Sequence, residues 1–199
     1  MLGEKEPRTI LAVVYSDGLA ADELLAALGY RLRDAGVAVA GIVQRNSFVR
    51  HRTRCDMEVE ELASETVLRL SEDRGPAARG CRLDQSALAQ ATVLLEAALA
   101  AAPDLVIVNK FGKMEAAGRG LRDVLGETVQ RNIPLIIGVP ARNLDAWRVF
   151  AAGLADECPV SAPEILAWIA GHGFDVREII AGARLTPGSC LRGTALSNP

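Results

Sequence analysis

The chain reads as an α/β domain of three layers, with helices on both faces of a mainly parallel sheet, and three observations lead there. Short apolar runs alternate with helical periods from Thr9 to Ala155, Gly, Pro and Asn punctuate the junctions, and polar groups cluster directly after the runs. Open parallel sheets bind ligands at that end of their strands. At 199 residues, 50% hydrophobic and 24% charged, the chain can build one sizeable core. We divide it into a main domain, 1–158, and a C-terminal helix and tail, 159–199.

Thr9 to Tyr15 is a β-branched strand closed by Ser16-Asp17-Gly18, and Leu24, Leu25, Leu28 and Leu32 give the following segment, Leu19 to Ala35, a helical stripe. Gly36 ends that helix, and Val37 to Val43 supplies a second strand, completing a right-handed βαβ unit. Cys55 to Leu62 and Thr66 to Leu70 alternate about Ala63-Ser64-Glu65, which predicts an inserted antiparallel hairpin over about 55–70. Glu72 to Arg82 is a Gly/Pro loop, and Asp84 caps a helix to Ala101. After a strand at Leu105 to Val108 come a helix from Ala116 to Asn132, a strand from Pro134 to Val139 and a helix from Asn143, its cap, to Ala155. A short helix, Ala162 to Ala170, follows, and Pro187 to Pro199 is expected to be mobile.

Composition narrows the function. A net charge of -3 and a pI near 5.5 give no electrostatic footprint for nucleic acid. No apolar stretch is long enough to span a membrane, and Met1 to Ile10 is charged rather than signal-like, so a cytoplasmic protein without membrane partners is expected. Cys55, Cys81, Cys158 and Cys190 are widely spaced and only His51 and His172 could join them, which argues against a zinc site and for no bound metal. Cys55 and Cys81 do sit among arginines, which lower a thiol pKa, so they are candidate functional thiols, set against a reading as unrelated small residues. Asp56 and Asp84 are a metal pair or two caps, with capping favoured for Asp84. Gly75 to Gly80 is a common turn around Arg79 more than a phosphate loop, and helical spacing assigns Trp147 and Phe150 to the core.

The strongest signal is Asp104 to Glu115, an apolar strand that breaks into Asn109, Lys110, Phe111, Gly112 and Lys113. Phe111-Gly112-Lys113-Met114-Glu115, followed by a helix and a second apolar strand, resembles the small P-loop nucleoside-triphosphatases of the thermophilic type. It also resembles an uncharacterised group of bacterial proteins that look like degenerate relatives of them. The resemblance covers about Thr9 to Ala155 and implies a P-loop fold. It also exposes departures. In the loop position, Tyr15 to Leu25 keeps one glycine, Gly18; Ala21 stands for the lysine, Asp22 for the metal-holding Ser or Thr, and Asn109-Lys110 for the Asp-Glu pair. Asp22 and Glu23 also place carboxylates where a phosphate would approach the helix terminus.

These residues point to a non-hydrolytic binding protein for a small anion or phosphorylated metabolite. Its candidate ligand-binding residues are Ser16, Asp17, Gly18, Asp22, Arg45, Asn46, Arg79, Asn109, Lys110, Lys113, Arg119 and Arg142. An ion pair between Asp22 and Lys110 is expected to replace the metal and nucleotide. No cofactor is named by the residues, and magnesium nucleotide is disfavoured. Two alternatives stay open: a nucleoside-triphosphatase with an atypical phosphate site, and, implied by the resemblance, an accessory or regulatory protein of molybdenum metabolism. A homodimer or a protein partner is compatible with either.

Overall fold

Strands whose residues are apolar on both sides must lie in the middle of a sheet, and β-branched runs such as Leu105–Val108 and Leu135–Pro140 are buried at every position. The structure, a computed structural model, describes residues 8–47, 56–70 and 84–181, with the side chains of all but 46, 47, 56, 57 and 181. Numbered in chain order, the strands are β1 (Ile10–Tyr15), β2 (Val39–Ser47), β3 (Asp56–Glu61), β4 (Thr66–Arg69), β5 (Leu105–Val108), β6 (Leu135–Pro140) and β7 (Ala155–Cys158). They form one sheet in the order β4-β3-β2-β5-β6-β1-β7. Pairing is parallel from β2 through β7 and antiparallel along β2, β3 and β4. The expected hairpin is therefore present, and it lengthens the sheet beyond β2.

Side-chain alternation divides the interior into two cores. Ile10, Ala12, Ile42, Val106, Val108, Leu135 and Ile137 face α2 (Gln85–Ala100), α4 (Arg122–Gln130) and α5 (Leu144–Ala151). Leu11, Val13, Val39, Val43, Leu105, Ile107 and Ile136 face α1 (Gly18–Asp34), α6 (Ala162–Gly171) and α7 (Val176–Ala181). Three layers result, as the sequence predicts. Asp84 caps α2 through bonds from Ser86 N and Ala87 N. No helix among the described residues is long and apolar enough to cross a membrane.

Two helices differ from expectation, and β7 and α7 are elements that the sequence does not predict. The helix expected over 116–132 is two pieces, a single turn α3 (Lys113–Ala116) and α4, because Gly118 and Gly120 take positive φ between them. The helix expected to reach Ala155 stops at Ala151, where Ala152 and Gly153 turn left-handed and release the chain into β7. Asn143 stands at the cap position, as expected, but its side chain makes no cap bond; its amide donates to Phe111 O at 2.8 Å. The Glu72 to Arg82 loop, with Arg79 and Gly75 to Gly80, and the tail Pro187 to Pro199 lie outside the described residues, as do Cys55, Cys81 and the side chain of Asn46.

Two glycines let the neighbours of β5 close on it. A Cβ on Gly41 of β2 would strike the backbone carbonyl of Ile107, and one on Gly138 of β6 would strike that of Asn109. Gly41 also holds φ +142, which side chains resist. Glu61 completes the junction, its carboxylate accepting from Gly41 N, Ala63 N and Ser64 N. Gly41→Ala and Gly138→Ala should each cost about 2 kcal/mol or more in urea unfolding, since backbone cannot yield as a side chain can. Gly126→Ala, in α4 with open space around it, should leave stability unchanged or raise it by up to about 1 kcal/mol.

Candidate functional site

The sheet ladder continues past the end of β5 and fixes the residues beyond it. Asn109 N donates to Ile42 O at 2.8 Å and Phe111 N to Gly138 O at 2.7 Å. Phe111 turns into the core, its ring 5.3 Å from that of Trp147 and 5.5 Å from that of Phe150. Both sequence assignments to the core thus hold, Trp147 fully buried and Phe150 packed against it. With Phe111 anchored, Asn109 and Lys110 have little freedom. The buried Asn109 amide donates to Asp22 Oδ1 at 2.8 Å and lies 3.4 Å from Gln44 Oε1, while Lys110 Nζ donates to the same Gln44 oxygen at 2.8 Å. Asn109 Oδ1 is buried with no hydrogen-bond partner among the described residues.

This network replaces the expected ion pair. Asp22 is met by an amide and Lys110 by a glutamine, and β6 stands between β5 and β1. A neutral donor satisfies the buried carboxylate without a second buried charge, which costs less desolvation.

The turn between β1 and α1 is short. Only Ser16 and Asp17, both exposed, link Tyr15 to Gly18, the first helical residue. Asp17 caps α1 by accepting from Leu19 N at 3.0 Å, so an internal carboxylate occupies a donor of the kind that binds phosphate at helix starts. The expectation that Asp22 and Glu23 stand at the helix terminus is corrected, because α1 begins at Gly18; Asp22 points inward from the second turn and Glu23 is exposed. Tyr15 is buried near Asp22. Burial foremost, then the Asp22 carboxylate, push its hydroxyl up to about 12, with Arg142 pulling the other way.

On the sheet face opposite α1 opens a cleft of about 250 Å³. Ile42, Val59 and Val108 from the sheet, Leu70 and Leu88 beside it, and Met114 and Leu121 around α3 make its walls apolar. Gln44, Asn109, Lys110, Lys113 and Arg142 line its polar part. Glu115 also borders it, but both carboxylate oxygens are engaged, one by Gly112 N at 2.9 Å and one by Leu121 N at 3.0 Å. Lys113 and Arg142 are exposed and make no side-chain hydrogen bond or ion pair with another described residue.

Of the sequence candidates, the structure gathers Asn109, Lys110, Lys113 and Arg142 at the cleft, with Asp22 behind Asn109. Ser16, Asp17 and Gly18 lie at the α1 turn, outside its lining. Arg45 pairs with Glu60 at 3.1 Å on the other side of β2, in a cluster with Tyr30 and Arg33. Arg119 is exposed between α3 and α4, away from the lining. Sequence does not name Gln44, Tyr15 or most of the apolar walls, and marks Met114 and Glu115 only as part of the family-like motif; Gln44 is accessible in principle, since strand alternation puts it on the side of Ile42. Cys158 is buried and its thiol is pushed up to about 11, by burial first and Glu164 second, as suits an inert core residue. Among the described residues no group of three His, Cys, Asp or Glu side chains is placed to hold a metal ion.

Comparison with known proteins adds three findings. A sequence profile for a family described as protein of unknown function (DUF2478) matches residues 10–168. The chain is 34% identical over 165 residues to the Molybdenum import ATP-binding protein ModC 2 of Bradyrhizobium diazoefficiens. That match takes in 83% of this chain but 18% of the relative's length. The crystal structure of THEP1 from the hyperthermophile Aquifex aeolicus superposes with a TM-score of 0.54 at 13% identity, covering 77% of this chain and 90% of that one. At such identity the likeness shows the fold alone.

The buried Asp22 makes Asn109 sensitive to charge. In an Asn109→Asp variant two carboxylates must share one proton, so a carboxyl pKa is raised in the folded state. Stability should match the unmodified protein most closely in acid and fall further behind as pH rises, by about 2 kcal/mol or more at neutrality, in urea unfolding across pH. An absorbance titration should find Tyr15 ionising well above its ordinary value of 10.0, near 12. Because that folded pKa is raised, the contribution to stability is complete below pH 10 and lost as pH climbs towards 12.

Proposed function

Because the chain belongs to the DUF2478 family and has the P-loop nucleoside-triphosphatase fold, we propose that it is a small-ligand binding protein on that scaffold, taking an anion and not hydrolysing nucleotide. The observation that carries the proposal is the cleft at the strand ends, where Lys110, Lys113 and Arg142 outnumber Glu115, the one carboxylate among its lining residues, whose oxygens are turned to backbone N–H groups. Cations converging on a concave site favour phosphate or carboxylate groups. The two-residue turn capped by Asp17, and the amide and lysine at 109 and 110, support the non-hydrolytic part. Phosphoryl transfer depends on positioned positive charge and metal at the phosphates.

A second reading, an accessory or regulatory role in molybdenum metabolism, rests on the identity with the molybdenum import relative. Molybdate is itself an anion, so the two readings share a site and differ in ligand.

Thermal stabilisation of the pure protein separates them, since a ligand that binds only the folded state raises its melting temperature. The panel is ATP and GTP with Mg²⁺, phosphate, sulfate, molybdate, tungstate and phosphorylated metabolites. We expect stabilisation by one or more anions, weakened about tenfold or more in affinity by combined Lys113→Gln and Arg142→Gln, and none by magnesium nucleotide. A response to molybdate over sulfate would favour the second reading. Stabilisation by nucleotide alone, followed by its hydrolysis, would overturn the first.

A further inference from the structure

We infer that the cleft takes an amphipathic organic anion, a compact apolar body of one or two rings bearing a phosphate or carboxylate, in preference to a bare inorganic oxyanion. The inference rests on the anion reading above and specifies its ligand. Charge alone does not distinguish the two classes, but the walls do. Val59, Leu70, Leu88, Met114 and Leu121 present hydrocarbon to the space that the cations border. A tetrahedral oxyanion held at Lys113 and Arg142 would leave those walls facing water, whereas a ligand with an apolar body covers them and gains the area removed from solvent.

Size is consistent with this. An apolar cavity of about 150 Å³ accommodates benzene, so about 250 Å³ accepts a ring system together with part of its anionic group. The geometry also assigns an orientation. Lys113 and Arg142 are exposed, while Val59 and Val108 are buried, so the anionic group sits at the mouth and the apolar body enters beneath the hairpin. Lys110, tethered to Gln44, keeps further donors on its ammonium group for a ligand oxygen. Glu115 keeps its charge, but both its oxygens are turned to backbone N–H groups and the three cations outnumber it.

Calorimetric titration of the full chain with 2-naphthyl phosphate, 2-naphthol, inorganic phosphate and molybdate tests the assignment. Naphthyl phosphate should bind at least about tenfold more tightly than any of the other three, because it alone uses both walls and cations. Leu88→Gln with Met114→Gln, both half-buried positions, should weaken it about tenfold, with circular dichroism confirming the fold. Lys113→Gln with Arg142→Gln should weaken it without changing any residual affinity for naphthol. Phosphate or molybdate binding as tightly as naphthyl phosphate would overturn the organic-anion assignment and leave the anion site standing. Naphthol binding as tightly as its phosphate would overturn both. Absence of naphthyl phosphate binding to the folded protein also overturns the assignment, and the inorganic ions then report whether the anion site itself survives.

Discussion

The close clasp of β5 by its two neighbours fixes the polar residues that border the cleft. Gly41 and Gly138 let the adjoining backbones approach to where a single methyl group would collide with a carbonyl. Because both sides are closed, the hydrogen-bond ladder runs on through Asn109 and Phe111, beyond the last strand residue. The polar residues after β5 are consequently held by backbone on rigid elements and not by a pliant loop. Precise placement of that kind is what binding sites require of their scaffold.

From that anchored segment the side chains diverge by position. Phe111 goes into the core and locks the segment from below, through its ring contacts with Trp147 and Phe150. Asn109 reaches Asp22 on the side of α1, and Lys110 engages Gln44 beside the cleft. A buried amide bonded to a carboxylate contributes about 1.5–3 kcal/mol net, enough to matter but small beside the cost of leaving that carboxylate unmatched. The two faces of the sheet are thus coupled through one asparagine, with structural acid on one side and the cations that line the cleft on the other.

Much of this was legible from residue order. Buried strands announce themselves by β-branched runs, as in Thr9 to Tyr15 and Pro134 to Val139, and the hairpin by its alternation about Ala63-Ser64-Glu65. The polar cluster after Val108 pointed to the sheet end where the cleft opens, and with it to Asn109, Lys110 and Lys113. What escaped was long-range or small. Nothing local says that Arg45 will be claimed by Glu60, or that Asp22 will find Asn109 eighty-seven residues away. The break between α3 and α4 hides in an alanine- and glycine-bearing stretch whose apolar spacing still looks helical, and is decided by positive φ at Gly118 and Gly120. The apolar walls of the cleft come from five separate stretches of chain, so no window of sequence displays them together.

The strand β7 was the hardest element to see, because Ala155-Asp156-Glu157-Cys158 carries two acids where a strand would advertise hydrocarbon. It lies at the rim of the described sheet, beside β1, with Asp156 facing Arg8 at 3.7 Å and Glu157 doubly bonded to Arg148 at 2.9 and 2.8 Å. A rim strand offers unpaired backbone groups to any passing chain, and charge along it makes that offer unattractive. The acids that conceal β7 from a reader of the sequence therefore also guard it against recruitment into aggregates: camouflage and protection come from the same two residues.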